Sequence, residues 1–148
     1  MNIWIINGPN INLLGTREPD IYGHETMESI NRQIQTYLTD HGHLYEFFQS
    51  NSEGALVDKI QEALNEQVDG IVINPAAYTH YSYAIHDALK SVSIPTVEVH
   101  LSAIHSREAF RKDSVIAPAC IGQVSGFGPA SYLLGVQALE LHLAKENT

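Results

Sequence analysis

The sequence predicts an α/β fold built on a doubly wound parallel sheet. Short apolar runs alternate with amphipathic helical stretches five times along the 148 residues. Such alternation is typical of parallel strands joined by helices that cover both faces of a sheet. Because these crossovers are right-handed, five strand–helix units favour a five-stranded sheet of flavodoxin-like order 2-1-3-4-5. No linker or internal repeat interrupts the pattern, so we expect residues 1–148 to form a single domain.

Two strand–helix units make up the first part of the chain. The runs NIWIIN at 2–7 and HLYEFFQS at 43–50 predict the first two strands. Between them a helical pattern begins after Thr26, a favoured N-cap residue, and ends at Gly42. The second helix follows another capping residue, Ser52. Its predicted buried stripe consists of Leu56, Ile60, Ala63 and Leu64.

The third unit begins with GIVIN at 70–74, which is entirely apolar before its final asparagine and predicts a buried strand. The helix after it is expected to be capped by Thr79. Its inward face is predicted to hold Ala84, Ile85, Ala88, Leu89 and Val92.

The last two strands are PTVEVHL at 95–101 and CIGQVSG at 120–126. A short helix is expected between them, near 107–112. The final helix is predicted to start at Pro129, since proline suits the first helical turn, and to run to about Lys145.

The composition limits the possible functions. The formal net charge is −9 and Lys plus Arg number eight, which disfavours nucleic-acid binding because that requires a basic face. No apolar run reaches bilayer length, and the N-terminus lacks a basic flank and a cleavage site, so we expect no membrane association and no export. The single cysteine, Cys120, cannot form an internal disulfide and is interpreted as a small hydrophobe at the start of strand five. These features are typical of a cytoplasmic protein.

Polar side chains follow three of the predicted strands at the point where each strand ends. In a parallel sheet of this order, ligands bind beyond the carboxyl ends of the strands, at the switch point between strands one and three. The segments NGPNINLLG, NPAAYTH and VHLSAIHSREAFR all reach this edge. They carry Asn7, Asn10, Asn74, His80, His100, Ser102, Arg107 and Arg111.

The stretch LLGTREPDIYGHE, Leu13 to Glu25, has neither a helical nor an alternating apolar period. It follows strand one, contains Gly15 and Gly23, and brings Arg17 and Tyr22 to the same edge of the sheet. We interpret it as a lid that closes over the crevice.

These residue types support the removal of a proton next to a carbonyl group. A neutral tyrosine titrates near about pH 10, and a neighbouring cation favours its phenolate. Arg17 would therefore make Tyr22 a usable base when the lid is closed. Asn10 could position a donor or an ordered water for the resulting enolate. His100, at the end of strand four and on the same face as Glu98, is well placed to protonate a leaving hydroxyl.

A second group of residues is suited to holding the substrate. The backbone amides of Leu101 and Ser102 follow a strand end and can bind a carboxylate, with Asn74 as a further donor. Arg111 and His80 could hold hydroxyl groups. The set predicts a small polyhydroxylated carboxylic acid as substrate.

Three long motifs in this order resemble the type II 3-dehydroquinate dehydratases. They are NGPNINLLGTREPDIYG at 7–23, NPAAYTHYSYAIHDAL at 74–89 and EVHLSAIHSREAFR at 98–111, and GFGPASYLLGVQAL near the end extends the likeness. The resemblance implies a flavodoxin-like fold and the conversion of 3-dehydroquinate into 3-dehydroshikimate in the shikimate or quinate pathway. It also implies that no metal and no organic cofactor is used.

The resemblance assigns roles in an overall anti elimination. Tyr22 would take the C2 proton, with Arg17 lowering its pKa and Asn10 holding the water that stabilises the enolate. His100 would protonate the departing C1 hydroxyl. The substrate-binding residues would be Asn74, Leu101 and Ser102 for the carboxylate, and His80 and Arg111 for the ring hydroxyls.

Asp87 requires a neighbouring subunit in this interpretation. It follows His80 by seven residues on the predicted third helix, which separates the two by roughly 10 Å along the axis. The family sends this aspartate into the site of the adjacent chain, in a dodecamer of four trimers. Ala76 and Ala77 stand where members of the family often have glycine.

Other enzyme classes fit the sequence less well. Type I dehydroquinases use a lysine Schiff base, but Lys59, Lys90 and Lys145 are predicted on polar helix faces or ends, and Lys112 follows a charged turn. GFGPAS only weakly resembles a dinucleotide loop, and it comes after the last strand. The chain lacks the phosphate loop of a flavodoxin, the paired acids of a receiver domain and the G-x-S-x-G of a serine hydrolase. No His spacing suggests a metal site.

The remaining alternative is a flavodoxin-like binding or scaffold module that oligomerises through its helices and performs no chemistry. The pairing of Tyr22 with Arg17 favours the enzyme, because a binding module needs no base on a lid. Arg107 is interpreted as a second lid residue.

Overall fold

A computed structural model describes residues 1–16, 20 and 24–146. Its core is a five-stranded parallel sheet of order β2-β1-β3-β4-β5, which confirms the predicted topology. The strands are β1 (Asn2–Asn7), β2 (Leu44–Gln49), β3 (Gly70–Asn74), β4 (Thr96–His100) and β5 (Gly122–Ser125).

Among the described residues, four α-helices flank the sheet: α1 (Met27–Asp40), α2 (Glu53–Asn65), α3 (Tyr83–Val92) and α4 (Ala130–Glu146). Short 3-10 helices occupy the connections, at Ile11–Leu13, Ala76–His80, Ile104–Ser106, Ala109–Lys112 and Ala117–Ala119. The helix expected near 107–112 is therefore a single 3-10 turn, Ala109–Lys112, and a separate turn precedes it at Ile104–Ser106. Within the described part of the chain, no helix is long and apolar enough to span a bilayer.

The two faces of the sheet carry separate hydrophobic cores. Alternate side chains of the central strands point to opposite faces, so Ile3 and Ile5 pack with α1 and α4, while Trp4 and Ile6 pack with α2 and α3. Both faces are covered, which is why residues 3–6 of β1 and 71–73 of β3 form continuous apolar runs rather than alternating. The chain is doubly wound, as predicted.

The start of the third helix was predicted wrongly. Thr79 does not cap it but lies fully buried in the Ala76–His80 turn, and α3 begins after Ser82, whose hydroxyl accepts from the Ile85 N–H at 3.1 Å. The extra 3-10 turn absorbs the residues that sequence alone would place in the helix. His80 and Asp87 consequently belong to different elements.

Three side-chain positions also differ from the helical pattern. Leu64 is 60% exposed and Ala84 is exposed, whereas Lys59, expected on a polar face, is only 8% exposed. The Lys59 ammonium lies 4.2 Å from the centre of the Trp4 ring and pairs with Glu46. A cation can be buried in this way because the ring and the carboxylate replace its hydration.

The other predicted helix ends are confirmed, whereas Cys120 does not lie at the start of the fifth strand, where it was expected. Thr26 forms a capping box with Ser29, and Ser52 caps α2. Gly42 follows the C-cap of α1 with a positive φ of 73°, which favours glycine. Cys120 precedes β5 by two residues and is partly buried.

The ends of β1 and β3 approach each other closely at Gly8. The Gly8 N–H donates to the carbonyl oxygen of Asn74 at 2.8 Å. A Cβ at position 8 would lie 2.7 Å from the carbonyl carbon of Pro75, so no larger residue fits without moving the backbone.

We predict that Gly8→Ala lowers the free energy of unfolding by about 1–3 kcal/mol, because the added methyl group overpacks this junction. Gly54→Ala is the matched control. Gly54 lies in α2 with no atom closer than 3.9 Å to an added Cβ, and its replacement should raise stability by about 0.5–1 kcal/mol. Urea denaturation measures both values. A free energy of unfolding for Gly8→Ala equal to that of the wild type would contradict the close packing of the two strand ends.

Candidate active site

A cavity of about 210 Å³ opens at the carboxyl ends of β1, β3 and β4. It lies at the switch point of the sheet, where the topology predicts a binding crevice. Seven residues singled out from the sequence line it together: Asn10, Asn74, His80, His100, Leu101, Ser102 and Arg111. Arg107 also lines it.

Two predicted residues, Arg17 and Tyr22, lie outside the described residues. The segment that leads to them starts at the cavity wall, where Ile11 and Leu14 contribute to the lining. Both side chains are buried, at 6% and 4% exposure, so the base of this segment is anchored in the core.

His100 is held from behind by a buried carboxylate. It ends β4 and is 5% exposed, and its Nε2 donates to Glu98 Oε2 at 2.5 Å, while Thr79 Oγ1 lies 3.3 Å from the same nitrogen. The alternation of a strand places residues 98 and 100 on one face. Since Nε2 is committed to Glu98, Nδ1 is the ring nitrogen left for a ligand.

Glu98 is fully buried yet well supplied with donors. Besides His100, Gln123 Nε2 donates to its Oε2 and the Ser114 hydroxyl donates to its Oε1, each at 2.7 Å. Burial raises the pKa of this carboxyl, but the bond and charge of His100 and the bonds from Ser114 and Gln123 together lower it below the ordinary value. Glu98 is therefore an ionised orienting partner for His100. The sequence reasoning assigned Glu98 no role, although its position on the same face as His100 was visible.

Asn74 ends β3 with its side chain 3% exposed on the cavity wall. Its Oδ1 accepts from the Ala76 N–H at 3.1 Å, and its Nδ2 donates to the Tyr132 hydroxyl at 3.0 Å. Ala76 adopts a positive φ of 54°, a conformation that glycine reaches more easily.

Asn10 occupies the turn after β1 in a left-handed conformation, with φ of 69°. Its backbone N–H donates to Asn51 Oδ1 at 3.0 Å, and Gln49 Nε2 donates to the same oxygen at 3.2 Å and to the Gly8 carbonyl at 3.1 Å. Side chains at the end of β2 therefore fix the turn that carries Asn10.

The cavity collects positive charge in an acidic protein. The Arg107 Nη1 donates to the Ser102 hydroxyl at 3.3 Å, and Arg111 pairs with Glu108 and lies against the Phe110 ring, 4.7 Å from its centre. The bond from Arg111 lowers the pKa of the Glu108 carboxyl. His80 donates from Nδ1 to the Asp113 carbonyl at 2.8 Å, which fixes its ring beside Phe110.

A family model described as dehydroquinase class II matches residues 1–140. The chain belongs to this family. It is 58% identical over 138 residues to the 3-dehydroquinate dehydratase of Caldicellulosiruptor bescii, covering 93% of this chain and 95% of that protein. It is 57% identical over 141 residues to the Clostridium beijerinckii enzyme of the same name, covering 95% and 97%.

The same family supplies a close structural neighbour. The crystal structure of the type II dehydroquinase from Butyrivibrio crossotus superposes with a TM-score of 0.94 at 52% identity, covering 95% of this chain and 97% of that one. The family's parallel α/β fold and strand order are thus those of this chain.

Asp87 lies away from the cavity of its own chain in this class II dehydroquinase. It sits on α3 with its side chain 79% exposed and contacts the adjacent His86 at 3.0 Å. It is not among the residues that line the crevice. Within the described residues, no three His, Cys, Asp or Glu side chains converge as a group able to hold a metal ion.

The buried Glu98 should make stability depend on pH in the acid range. Its folded-state pKa is lowered, so its contribution is full above the ordinary value of 4.5 and is lost as pH falls through the lower folded-state value. We expect Glu98→Gln, which cannot titrate, to lose less unfolding free energy than the wild type on acidification below 4.5.

Chemical denaturation at a series of pH values measures this difference. Glu66→Gln, at an exposed carboxylate beyond the end of α2, is the control and should follow the wild-type profile. Parallel acid profiles for wild type and Glu98→Gln would contradict the ionised state of Glu98.

Proposed function

We propose that this chain removes water from 3-dehydroquinate to give 3-dehydroshikimate by an anti elimination through an enolate. The chain belongs to the class II dehydroquinase family over residues 1–140, which makes it a hydro-lyase of the shikimate pathway. This membership is the observation that supports the proposed reaction. The cavity at the carboxyl ends of the strands supports the finer steps.

The proton at C2 is taken by Tyr22 as phenolate. Arg17, five residues away on the same segment, favours that charged form by its own positive charge. The electron pair of the broken C–H bond passes to the ketone oxygen as an enolate. Asn10, at the turn anchored by Asn51, holds the water that stabilises this oxygen.

The hydroxyl at C1 leaves with a proton from His100. When the enolate collapses, its electron pair forms the new carbon–carbon double bond and the C1–O bond breaks, so one water molecule is released without any change of redox state. The carboxylate of Glu98 supports this acid, because it stabilises the positive imidazolium before transfer and holds the ring orientation afterwards.

The substrate is held by groups at the ends of β3 and β4. The Asn74 amide and the backbone amides of Leu101 and Ser102 bind the carboxylate. His80 and Arg111 bind the ring hydroxyls. The two cavity arginines give this acidic protein a local attraction for an anion. No cofactor or metal takes part in these steps.

We predict that Tyr22→Phe lowers kcat by about 10²–10⁴-fold, the contribution of a general base. Arg17→Ala should also lower kcat. It should raise the apparent pKa of the base in the pH–rate profile by about 1–3 units, because the phenolate loses its neighbouring cation. The ultraviolet absorbance of the conjugated enone formed from 3-dehydroquinate measures both.

Tyr45→Phe is the matched control, since Tyr45 lies near the start of β2 and should keep wild-type turnover. Near-normal turnover in Tyr22→Phe would remove the base assignment. A wild-type protein that binds 3-dehydroquinate without converting it would favour a binding module instead.

We further propose that the single catalytic domain works in the cytoplasm as a dodecamer of four trimers, with Asp87 entering a neighbouring site. Asp87 and Tyr83 stand four residues apart on α3 and are 79% and 69% exposed, so they share an open face. Phe110 is also 59% exposed. A subunit docked on these aromatic side chains would remove them from water.

Mixed oligomers test this arrangement. Asp87→Ala and His100→Ala should each lower kcat/KM as pure oligomers, by about tenfold or more for the loss of a charged contact. Co-assembly should restore activity, because some sites then combine an intact His100 with a neighbour's Asp87. Hybrids no more active than their parents, or fully active isolated monomers, would contradict the shared site.

A further inference from the structure

We propose that Tyr132 is a positioning residue that aims the side-chain amide of Asn74 at the carboxylate of the ligand. The proposal deepens the proposed function, on which the identity of the ligand rests. Tyr132 lies in α4, far along the chain from the other residues of the site, and it is not among the residues lining the cavity.

Tyr132 joins the two central strand ends through a buried chain of hydrogen bonds. It is 1% exposed, and its hydroxyl donates to Asn7 Oδ1 at 2.6 Å and accepts from Asn74 Nδ2 at 3.0 Å. Asn7 and Asn74 are the last residues of β1 and β3, are paired in register, and are 2% and 3% exposed. The chain therefore spans the floor of the switch-point crevice.

The direction of these bonds sets the orientation of the Asn74 amide. A hydroxyl has one proton, and here it goes to Asn7, whose Oδ1 can only accept. Tyr132 can then only accept from Asn74, which must turn its NH₂ group toward it. The Ala76 N–H donates to Asn74 Oδ1, so the other end of the amide is held as well.

Among the contacts of the described residues, one N–H of Asn74 remains without a partner. An amide nitrogen carries two protons, and Tyr132 takes one of them. The other is left for the cavity, which Asn74 lines. A rotated amide would present its oxygen there instead and would repel a carboxylate.

The surroundings of Tyr132 explain why its hydroxyl is a relay and not a second base. Its ring packs in the core formed by β1, β3, β4, α1 and α4, where phenylalanine would fill the same space without a polar group to satisfy. Burial raises the pKa of the Tyr132 phenol, so the group stays neutral and continues to donate to Asn7.

The main test separates binding from turnover. In Tyr132→Phe the Asn74 amide loses one of its two anchors, and we expect KM for 3-dehydroquinate to rise about tenfold while kcat changes by less than about threefold. The dissociation constant of the product 3-dehydroshikimate, measured by calorimetry, should rise by the same factor. An unchanged KM and dissociation constant would overturn the proposal.

Tyr37→Phe is the control for loss of a tyrosine hydrogen bond away from the cavity, in a partly buried setting. The Tyr37 hydroxyl donates to Glu140 at 2.6 Å, and Glu140 also contacts His43, which precedes β2, at the opposite edge of the sheet from the cavity. This variant should leave KM unchanged even if its stability falls. An equal rise of KM in both variants would indicate a general structural effect and would overturn the proposal.

A double-variant cycle tests whether Tyr132 acts through Asn74. If it does, Tyr132→Phe added to Asn74→Ala raises the dissociation constant no further, whereas independent effects multiply. Multiplying effects would overturn the proposal. Asn7→Leu is a second route if Tyr132→Phe does not fold: it frees the Tyr132 proton to turn toward Asn74, and the same tenfold loss of affinity is expected.

The outcomes distinguish this inference from the function on which it rests. A wild-type protein that binds 3-dehydroshikimate but does not convert 3-dehydroquinate would contradict the proposed function, and the binding measurements would still decide the role of Tyr132. A wild-type protein that binds neither carboxylate would overturn both.

Discussion

The hydrogen bond from the Gly8 N–H to the Asn74 carbonyl, 2.8 Å long, joins the ends of the two central strands, and the site depends on it. Beyond this contact the chain leaves β1 toward α1 on one face of the sheet, and leaves β3 toward α3 on the other. A crevice opens where the two paths diverge, as at other switch points of doubly wound sheets. The approach tolerates no side chain at position 8, because the Pro75 backbone occupies that space.

The electrostatics of the crevice oppose those of the whole protein. A chain with a net charge of −9 must attract an anionic substrate, and the groups proposed to do so are arginines, amides and a histidine gathered at one edge of the sheet. The acidic group behind His100, Glu98, accepts bonds from three side chains and is fully buried. Its charge therefore acts on His100 at short range, which suits the proposed role of His100 as an acid that becomes an imidazolium and then gives up its proton.

The site divides into groups that stand on strand ends and a segment that carries the proposed base. The proposed acid and carboxylate-binding groups stand on strand ends and are held by buried partners, such as Glu98 behind His100 and Tyr132 behind Asn74. Groups mounted in this way keep their orientation before a ligand arrives, which lowers the cost of binding. The proposed base, Tyr22, belongs to the stretch after β1 and lies outside the described residues.

Local periodicity determined the sheet, its strand order, two of the helix caps and the strand-end placement of Asn10, Asn74 and His100, since each follows from neighbouring residues and the rules of parallel sheets. Only the tertiary structure decided which segments each helix and strand face packs against. It placed Ser82 rather than Thr79 at the start of α3, buried Lys59 against Trp4, and brought Tyr132 to Asn7 across 125 positions of sequence. Periodicity reports which side chains share a face, but contacts between distant segments arise only when the layers pack.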